Sequence, residues 1–413
     1  MKILFVHQSF PGQYRNVIRA LASQGLHQLV ALGLEEPSEP IPKSVSFFRY
    51  QLTRGNTPGL HDWLIDIDSK FIRGEACARA ATLLRDQGFF PDLICSHPGW
   101  GEALFLRDVW PSARILCYQE FFYHSIGFDY DFDPELQGIP TWEDSARLRM
   151  KNANPLLMLD QADWNVTPTS FQKRSFPTSY HSRITVVHDG IDTQLASPDP
   201  NVGPLQLPDG TLINPGDPLV TFVNRRIEPY RGCHTFLRAV PEILDRHSKV
   251  HIVVVGSLEG VSYGKPAPQG SWKDVFMNEI EGLYDTSRLH FTGHLQYNHF
   301  IHLLKLSSCH VYLTYPFVLS WSMLEAMSIG CPVIGSSTPP VQEVITDGHD
   351  GLLVDFFSSA ALASSVDTLL TDRPLALEIG RCARETILSQ FSLEICVPQH
   401  LALMHLVSAG SLS

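Results

Sequence analysis

Two segments in the second half of the chain carry residue types that bind phosphate. The first, 224–232 (N-R-R-I-E-P-Y-R-G), directly follows a short apolar run. Arginine binds phosphate oxygens through two parallel N–H donors, so Arg225, Arg226 and Arg231 predict a site for an anionic ligand. The alternative is a solvated turn in which these arginines only pair with Glu228. Because the chain has a formal net charge of −12, an anionic ligand needs such local positive groups.

The second segment is 315–334 (Y-P-F-V-L-S-W-S-M-L-E-A-M-S-I-G-C-P-V-I), which predicts a tight loop and a helix between two strands. Ser322 and Glu325 have the S-x-x-E spacing of a capping box, so we expect the helix to begin near Ser322. The first free amides of a helix are a ready site for a diphosphate. The alternative is that Glu325 is only a capping carboxylate. The amides predicted to face the ligand are those of Leu319, Ser320, Trp321, Ser322 and Met323.

A histidine and an acidic loop complete the polar residues whose position suggests chemistry. His97 comes just after a predicted strand, and the alternative is an ordinary loop histidine before Pro98. The stretch 129–133 (D-Y-D-F-D) contains the metal-binding spacing D-x-D but lies in a loop-like acidic region, so we predict a surface or acceptor loop. The sequence contains neither H-E-x-x-H nor G-x-G-x-x-G, so we predict no metal site and no nicotinamide cofactor.

Alternating strands and helices must position these residues. Short apolar runs typical of buried parallel strands recur in both halves of the chain, with helical patterns between several of them. This alternation predicts an α/β protein with two Rossmann-like, doubly wound domains. The predicted strands are 3–6, 29–32, 93–95, 115–117 and 184–187 in the first half, and 220–223, 251–255, 289–291, 311–314 and 332–334 in the second. Helices are predicted over 76–84, 235–246, 297–306 and 322–329.

A stretch rich in proline and glycine separates the two halves, with a possible hairpin near Asp209. In parallel sheets, ligands bind beyond the carboxyl ends of the strands, so we expect the site residues to face a cleft between two domains. The predicted limits are an N-terminal domain over 1–197, a linker over 198–218, a C-terminal domain over 219–385 and a final helical segment over 386–413.

Composition excludes several classes of protein. The 413 residues are 44% hydrophobic and 18% charged, which fits two globular domains. An acidic chain does not coat nucleic acid, so no nucleic-acid partner is predicted. The eight cysteines are scattered without CxxC pairs, which predicts reduced, buried thiols and a cytoplasmic location. The sequence contains no run of about 18 apolar residues, so we predict no membrane-spanning helix.

Six segments in order along nearly the whole chain form a recognisable set. They are Phe10-Pro-Gly-Gln-Tyr14 in the N-terminal glycine loop, 163–170 (D-W-N-V-T-P-T-S), 187–192 (V-H-D-G-I-D), 225–232 (R-R-I-E-P-Y-R-G), 325–334 (E-A-M-S-I-G-C-P-V-I) and 343–354 (E-V-I-T-D-G-H-D-G-L-L-V). Together these segments resemble the family-4 glycosyltransferases of the GT-B fold. The resemblance implies a retaining, metal-independent glycosyltransferase of polysaccharide or glycoconjugate biosynthesis.

The resemblance also implies a donor and its ligands. The donor is a nucleotide-diphosphate sugar with UDP as its nucleotide, and no other cofactor is required. Arg225 and Arg231 would neutralise the diphosphate, with Arg226 as the alternative if the alignment shifts by one residue. The amides of 319–323 would assist, and Glu325 would bind the ribose hydroxyls.

The same resemblance places two residues of the first half at the reaction centre. Gly12 would let its loop approach the donor phosphate or the acceptor, and His97 would face the transferred sugar. The acceptor would be a glycan, a small molecule or a lipid-linked sugar at the membrane surface. The oligomeric state is open.

One position departs from the family pattern. The first glutamate of the family's E-x7-E motif falls on Phe317, which cannot accept a hydrogen bond. In the family that carboxylate contacts a sugar hydroxyl. Two alternatives to sugar transfer therefore stay open at this point: a nucleotide-sugar 2-epimerase on the same fold, and a non-catalytic nucleotide-sugar-binding protein.

Overall fold

A computed structural model of the chain describes residues 1–412 and divides them into two compact units. The first unit comprises 1–131, 139–190 and the residues from Leu393 onward. The second comprises 132–138 and 191–392. Each unit contains one fully parallel β-sheet, as predicted from the two series of apolar runs.

The first unit is built on a seven-stranded sheet with the strand order β3-β2-β1-β4-β5-β6-β7. Its central strands are continuous apolar runs, and all four residues 3–6 of β1 are fully buried. Both faces of such a strand must be covered, which helices on either side accomplish. The strands are β1 (Lys2–Val6), β2 (Gln28–Gly33), β3 (Val45–Arg49), β4 (Leu93–Ser96), β5 (Arg114–Tyr118), β6 (Trp164–Thr167) and β7 (Ile184–Val186).

Six helices connect these strands. In the first of them, Val17, Ile18 and Leu21 recur at helical spacing and are buried against the sheet, and the helix ends at Gly25 with a left-handed φ of 65°. The helices are α1 (Arg15–Gln24), α2 (Asp62–Asp86), α3 (Leu106–Val109), α4 (Trp142–Lys151), α5 (Ala153–Gln161) and α6 (Ser170–Ser175).

The second unit contains a six-stranded sheet with the order β12-β11-β10-β13-β14-β15, and a two-stranded antiparallel hairpin. The hairpin turns at Gly210, whose φ is 92°, as the Asp209-Gly210 pair predicts. The strands are β8 (Leu205–Gln206), β9 (Leu212–Ile213), β10 (Leu219–Arg226), β11 (His251–Ser257), β12 (Leu289–Gly293), β13 (Cys309–Tyr312), β14 (Val333–Ser336) and β15 (Leu352–Val354).

The helices of the second unit follow its strands as crossovers. They are α7 (Cys233–Arg246), α8 (Trp272–Glu279), α9 (Tyr297–Leu306), α10 (Trp321–Ile329), α11 (Pro339–Gln342), α12 (Ser359–Thr371) and α13 (Arg373–Thr386). The last helix, α14 (Leu393–Ser408), belongs to the first unit instead. There, Leu403, Met404 and Val407 pack into the same core as residues 3, 5, 17 and 18.

The limits of the units differ from the predicted domains, since the second unit includes the predicted linker 198–218 and extends to Ser392 instead of residue 385. The first unit ends at Gly190 and not at residue 197, because Ala196 is already buried in the core of the second unit. The segment 132–138 also belongs to the second unit. Its Asp133 carboxylate accepts a hydrogen bond from the Tyr315 hydroxyl and lies 3.3 Å from Nε2 of His234.

The prediction of a surface loop over the acidic stretch 129–133 is therefore wrong for two of its three carboxylates, and the alternative of an acceptor loop stays a prediction. Asp129 is 3% exposed and Asp133 is fully buried. The acidic composition suggested solvent, but the partners of Asp133 lie about 100 and 180 residues further along the chain, where no local pattern reveals them.

All eight cysteines are free thiols with buried side chains, as predicted. Within residues 1–412, no helix combines the length and the apolar composition needed to cross a membrane.

Candidate active site

Each sheet has one point where the strand order reverses, and the predicted site residues lie at these two points. In the first sheet the reversal lies between β1 and β4, and in the second between β10 and β13. Chain segments leaving two such neighbouring strands run in opposite directions and open a crevice at the carboxyl edge of the sheet. The sites of the two units are described in turn.

In the first unit, the crevice contains two histidines and a tryptophan. His7 follows β1 and His97 follows β4, and their ring centroids are 5.4 Å apart. Trp100 contacts both rings at 4.9 and 4.5 Å. His7 was not among the predicted site residues. Its position directly after a buried strand is the signal that identified His97 and could have identified His7 as well.

Backbone amides fix the protonation of both imidazoles. The N–H of Ser9 donates to Nδ1 of His7 at 3.1 Å, so Nε2 carries the proton and donates to Oε1 of Gln13 at 2.8 Å. The N–H of Gly99 likewise donates to Nδ1 of His97 at 3.2 Å. Burial lowers the pKa of His7 to about 4 and places the pKa of His97 well below its usual value. Both rings are therefore neutral near pH 7.

His97 is left with an unused donor. Its side chain is 2% exposed, and within residues 1–412 its Nε2 has no hydrogen-bond partner. The nearest carboxylate oxygen is Oε2 of Glu120, 4.0 Å away. A buried N–H without a partner costs free energy that a bound hydroxyl or anion would recover. His97 lines a cavity of about 230 Å³ at this edge of the sheet, together with Trp100 and Glu120.

The His7 ring leaves no room for a side chain at position 12, which is a glycine. Its φ is 50°, and a Cβ atom at this position would lie 2.3 Å from Nε2 of His7. Any other residue would displace the His7 ring and break its bond to Gln13. The loop thus brings Gly12 beside His7, and its approach to the donor phosphate or the acceptor stays a prediction.

In the second unit, charged side chains at the end of β10 and in the segment after it bind the neighbouring backbone. Arg226 donates to the carbonyl of Glu259, and Arg225 remains exposed. Glu228 is 1% exposed, and its Oε2 accepts the amides of Ser262 and Tyr263 at 2.6 and 3.1 Å. The alternative of a solvated turn with Arg–Glu228 pairing is therefore wrong, because Glu228 binds backbone amides.

Arg231 joins this segment to the loop after β13. Its buried Nη1 donates to Tyr312 Oη at 3.1 Å, to Thr314 Oγ1 at 2.7 Å and to the carbonyl of Val318 at 2.9 Å. Tyr312 Oη in turn accepts the amide of Ser320 at 2.8 Å. Every side-chain hydrogen bond that Arg231 donates within residues 1–412 comes from Nη1, so Nε and Nη2 are available to a ligand.

The N-terminus of α10 differs from the prediction. The helix begins at Trp321, and Ser320 is its N-cap, with Oγ accepting the amide of Ser322 at 3.4 Å. The capping box predicted for Ser322 and Glu325 is therefore wrong, because Ser322 already has a helical position. Of the predicted amides, those of Ser320 and Ser322 have protein partners. Leu319 and Met323 flank them in the same turn, and Met323 is fully buried.

Glu325 is more than a helix cap. It lies one turn into α10, is 8% exposed, and its Oε1 accepts the Tyr297 hydroxyl at 2.6 Å. Phe317 is 3% exposed and packs against the rings of Tyr230 and Tyr263, with centroids 5.7 and 4.8 Å away. The phenylalanine that replaces the first glutamate of E-x7-E thus forms an aromatic cluster with Tyr230 and Tyr263.

Comparison with known proteins shows a family for both halves of the chain. Residues 25–196 match the family model described as glycosyl transferase family 4 group, and residues 206–386 match the model described as glycosyl transferases group 1. The D-inositol 3-phosphate glycosyltransferase of Corynebacterium glutamicum is 25% identical over 308 residues, which are 71% of this chain and 67% of the relative. Glycogen synthase of Mycobacterium tuberculosis is 24% identical over 51% of this chain, which spans about half of that relative (45%).

Solved structures agree in fold. Sucrose-phosphate synthase from Thermosynechococcus elongatus superposes with a TM-score of 0.72 at 19% identity and covers 99% of both chains. Anabaena Alr3699/HepE, solved in complex with UDP-glucose, gives a TM-score of 0.68 at 16% identity, covering 98% of this chain and 99% of its own. With two Rossmann-like units and a family match in each half, the chain belongs to the family-4 glycosyltransferases of the GT-B fold.

Proposed function

We propose that the protein transfers a sugar from a nucleotide-diphosphate sugar to an acceptor hydroxyl, with retention of the anomeric configuration and without a metal ion. The observation that carries the proposal is the anchoring of Arg231 to the loop that ends in the N-terminus of α10. It joins a guanidinium with free donors to a helix N-terminus, and this combination favours a diphosphate. The epimerase and the non-catalytic binder are not favoured by the family matches.

In this proposal the second unit binds the donor. Arg231 neutralises the diphosphate through Nε and Nη2, and Arg225 reaches it as an exposed side chain. Arg226, held by the carbonyl of Glu259, supports the loop. The N-terminal turn of α10, residues 319–323, completes the site, and Glu325 binds the ribose hydroxyls. UDP is the proposed nucleotide, which the UDP-glucose complex of the Anabaena neighbour supports.

The first unit supplies the acceptor side. The neutral Nε2–H of His97 donates to a hydroxyl of the transferred sugar, and Gly12 keeps the adjacent loop close. The bond from C1 of the sugar to the diphosphate breaks, and the acceptor oxygen bonds to C1 from the same face. The acceptor proton passes to the leaving diphosphate oxygen, so the protein contributes orientation and charge stabilisation. A cytoplasmic location remains a prediction.

Calorimetric titration with UDP, GDP, ADP and dTDP tests the donor site. We expect micromolar UDP binding and a loss of about 1–3 kcal/mol for Glu325→Ala, because a ribose hydrogen bond to a carboxylate is removed. The matched control is Glu281→Ala, an exposed carboxylate of the same unit. Absence of binding by all four nucleotides, or wild-type binding by Glu325→Ala, would contradict the proposed site.

A further inference from the structure

The cavity next to His97 is lined by three cationic side chains. Lys70 and Arg73 come from successive turns of α2, and Lys151 is the last residue of α4. All three belong to the first unit and line the same cavity as His97. The charged residues of α2 are spread around the helix axis and do not form a stripe. The cationic cluster forms only because Lys151 of α4 lies next to two of them.

These cations are incompletely neutralised. Nζ of Lys70 pairs with Oδ2 of Asp66 at 2.7 Å, and the Asp66 side chain is half exposed. Arg73 donates no hydrogen bond within residues 1–412, and its Nε is buried. Lys151 has no carboxylate within 4 Å in the described chain, and its Nζ lies 3.6 Å from the centroid of the Tyr123 ring. Two of the three cations therefore have no carboxylate within ion-pair distance, although the buried carboxyl group of Glu102 interacts electrostatically with Arg73.

Unpaired cations in a partly closed cavity are costly. Withdrawal of a guanidinium or ammonium group from water is compensated only when an opposite charge and hydrogen-bond acceptors replace the solvent. The lining offers Asp66 beside Lys70 and Glu120 beside His97. Neither is within ion-pair distance of Arg73 or Lys151. Burial also lowers the pKa of Lys151 to about 8, and the charges of Asp66 and Asp129 offset this only in part.

We propose that this cavity binds a phosphate or carboxylate group of the acceptor, so that the acceptor is an anionic sugar or polyol. The inference rests on the proposed function, because it assigns the acceptor side of the same site. Arg73 offers the planar fork that matches both anions, and Lys151 offers a point charge. His97 lines the same cavity, so its Nε2–H would hold the transferred sugar next to the bound acceptor. The volume of about 230 Å³ suits a single ring with one anionic substituent.

Titration of the UDP-saturated protein with glucose 6-phosphate, glucuronate, glucose and inorganic phosphate tests the proposal. Saturation with UDP prevents these anions from occupying the donor site. We expect glucose 6-phosphate or glucuronate to bind at least about tenfold more tightly than glucose, and this preference to fall about tenfold in Arg73→Gln and in Lys151→Gln. Arg79→Gln is the matched control, since Arg79 is exposed on the same helix and pairs with Glu75.

The outcomes separate the two proposals. If UDP binds, and if glucose binds with the same affinity as the two anionic sugars, the inference of an anionic acceptor is overturned and the proposed donor site stands. If the anionic sugars bind with the expected dependence on Arg73 and Lys151 while UDP does not bind, the donor proposal fails and the cavity remains an anion site. The comparison of glucose with glucose 6-phosphate uses wild-type protein, so it decides even if a variant does not fold.

A second arm identifies the source of the anion. The same charge could belong to a soluble sugar phosphate or to the headgroup of a lipid-linked acceptor. Flotation with phosphatidylcholine vesicles, with and without phosphatidic acid, distinguishes them. Binding of the soluble sugars without vesicle binding assigns a soluble acceptor. If vesicle binding needs phosphatidic acid and is lost in Arg73→Gln, the anion belongs to a lipid headgroup. If Arg73→Gln still binds the vesicles, this cavity does not bind the lipid headgroup.

Discussion

The two strand-order reversals use charge in opposite ways. In the second unit, the charged side chains are bound by the protein itself: the Glu228 carboxylate accepts hydrogen bonds from two backbone amides, and Arg231 donates to one oxygen of β13 and two oxygens of the loop after it. In the first unit, Arg73, Lys151 and the Nε2 of His97 have no such partners. The site in the second unit is thus held in place by its own hydrogen bonds, whereas the site in the first unit has donors without a protein partner.

This difference has a physical meaning for a transferase. A site fixed by its own hydrogen bonds need not reorganise to bind, and it stabilises charge that develops on a leaving diphosphate. A site with unsatisfied donors gains most from the ligand that satisfies them, so it discriminates among ligands. We infer that the second unit defines the chemistry of the donor, whereas the first defines which acceptor is used.

The largest expected effect is a difference in pH sensitivity between the units. Burial lowers the pKa of His7, His188 and His400 to about 4 in the first unit. In the second unit, burial lowers the pKa of His310 to about 3 and the pKa of His251 below its usual value. The unfolded chain takes up these protons below about pH 6.5, but the folded unit does so only near pH 4. Folding stability should therefore fall as the pH decreases through this window, by about 1.4 kcal/mol per pH unit for each proton.

Hydrogen exchange, corrected for intrinsic rates, measures this in each unit separately. We expect amides of β1, β4 and β5 to lose protection at a higher pH than those of β10, β11 and β13. Below about pH 4, carboxylates of both units titrate as well, so the comparison is confined to pH 6.5–4.5. Equal loss of protection in both sheets would show that the first unit is not the pH-sensitive part.

A pair of arginine substitutions tests the difference directly. Arg231→Ala removes three internal hydrogen bonds of a buried cation, and we expect the free energy of unfolding to decrease by about 3 kcal/mol and turnover to fall by orders of magnitude. Arg73→Ala removes no internal hydrogen bond and should change the free energy of unfolding by less than about 0.5 kcal/mol. Urea unfolding and donor turnover are the measurements. Near-normal turnover of Arg231→Ala would remove Arg231 from the mechanism.

The aromatic residue at the E-x7-E position allows a further test. Phe317→Glu would restore the family carboxylate in sequence, but it would place it among the rings of Tyr230 and Tyr263. A buried carboxylate without a partner is costly, so we expect a loss of about 2 kcal/mol in unfolding free energy and no gain in turnover. Phe317→Leu serves as the apolar control. Faster turnover in Phe317→Glu would mean that the loop can adopt the arrangement usual in the family.

The order of strands and helices was readable from the sequence because buried parallel strands are continuous apolar runs. The helix predicted over 297–306 has those limits in the structure, and α10 starts one residue before its predicted position. That single residue made the capping box wrong, since both Ser320 and Ser322 are suitable caps by type. Which serine caps the helix depends on the backbone of the preceding loop, and Arg231 and Tyr312 hold that loop through long-range contacts.

The acceptor side of the site was less predictable. His97 was found from its place after a strand, but the lysines and arginine around its cavity were not. Lys70 and Arg73 lie on one helix and Lys151 on another, about 80 residues away, so only the packing of α2 on α4 brings them together. The burial of Asp133 was hidden for the same reason. Local patterns reveal elements, whereas convergence of charged side chains from different elements requires the tertiary structure.

The smallest effect we predict concerns the hydroxyl that positions Glu325. In Tyr297→Phe, the hydrogen bond of 2.6 Å to Oε1 is lost, and the carboxylate gains freedom that UDP binding must remove. We expect UDP affinity to fall by about 0.5–1.5 kcal/mol, less than in Glu325→Ala, because the ribose acceptor itself remains. Calorimetry on both single variants and on the double variant measures their coupling. If Tyr297 acts only through Glu325, the double variant should bind UDP as weakly as Glu325→Ala alone, whereas additive losses would show that Tyr297 contributes to binding by another route.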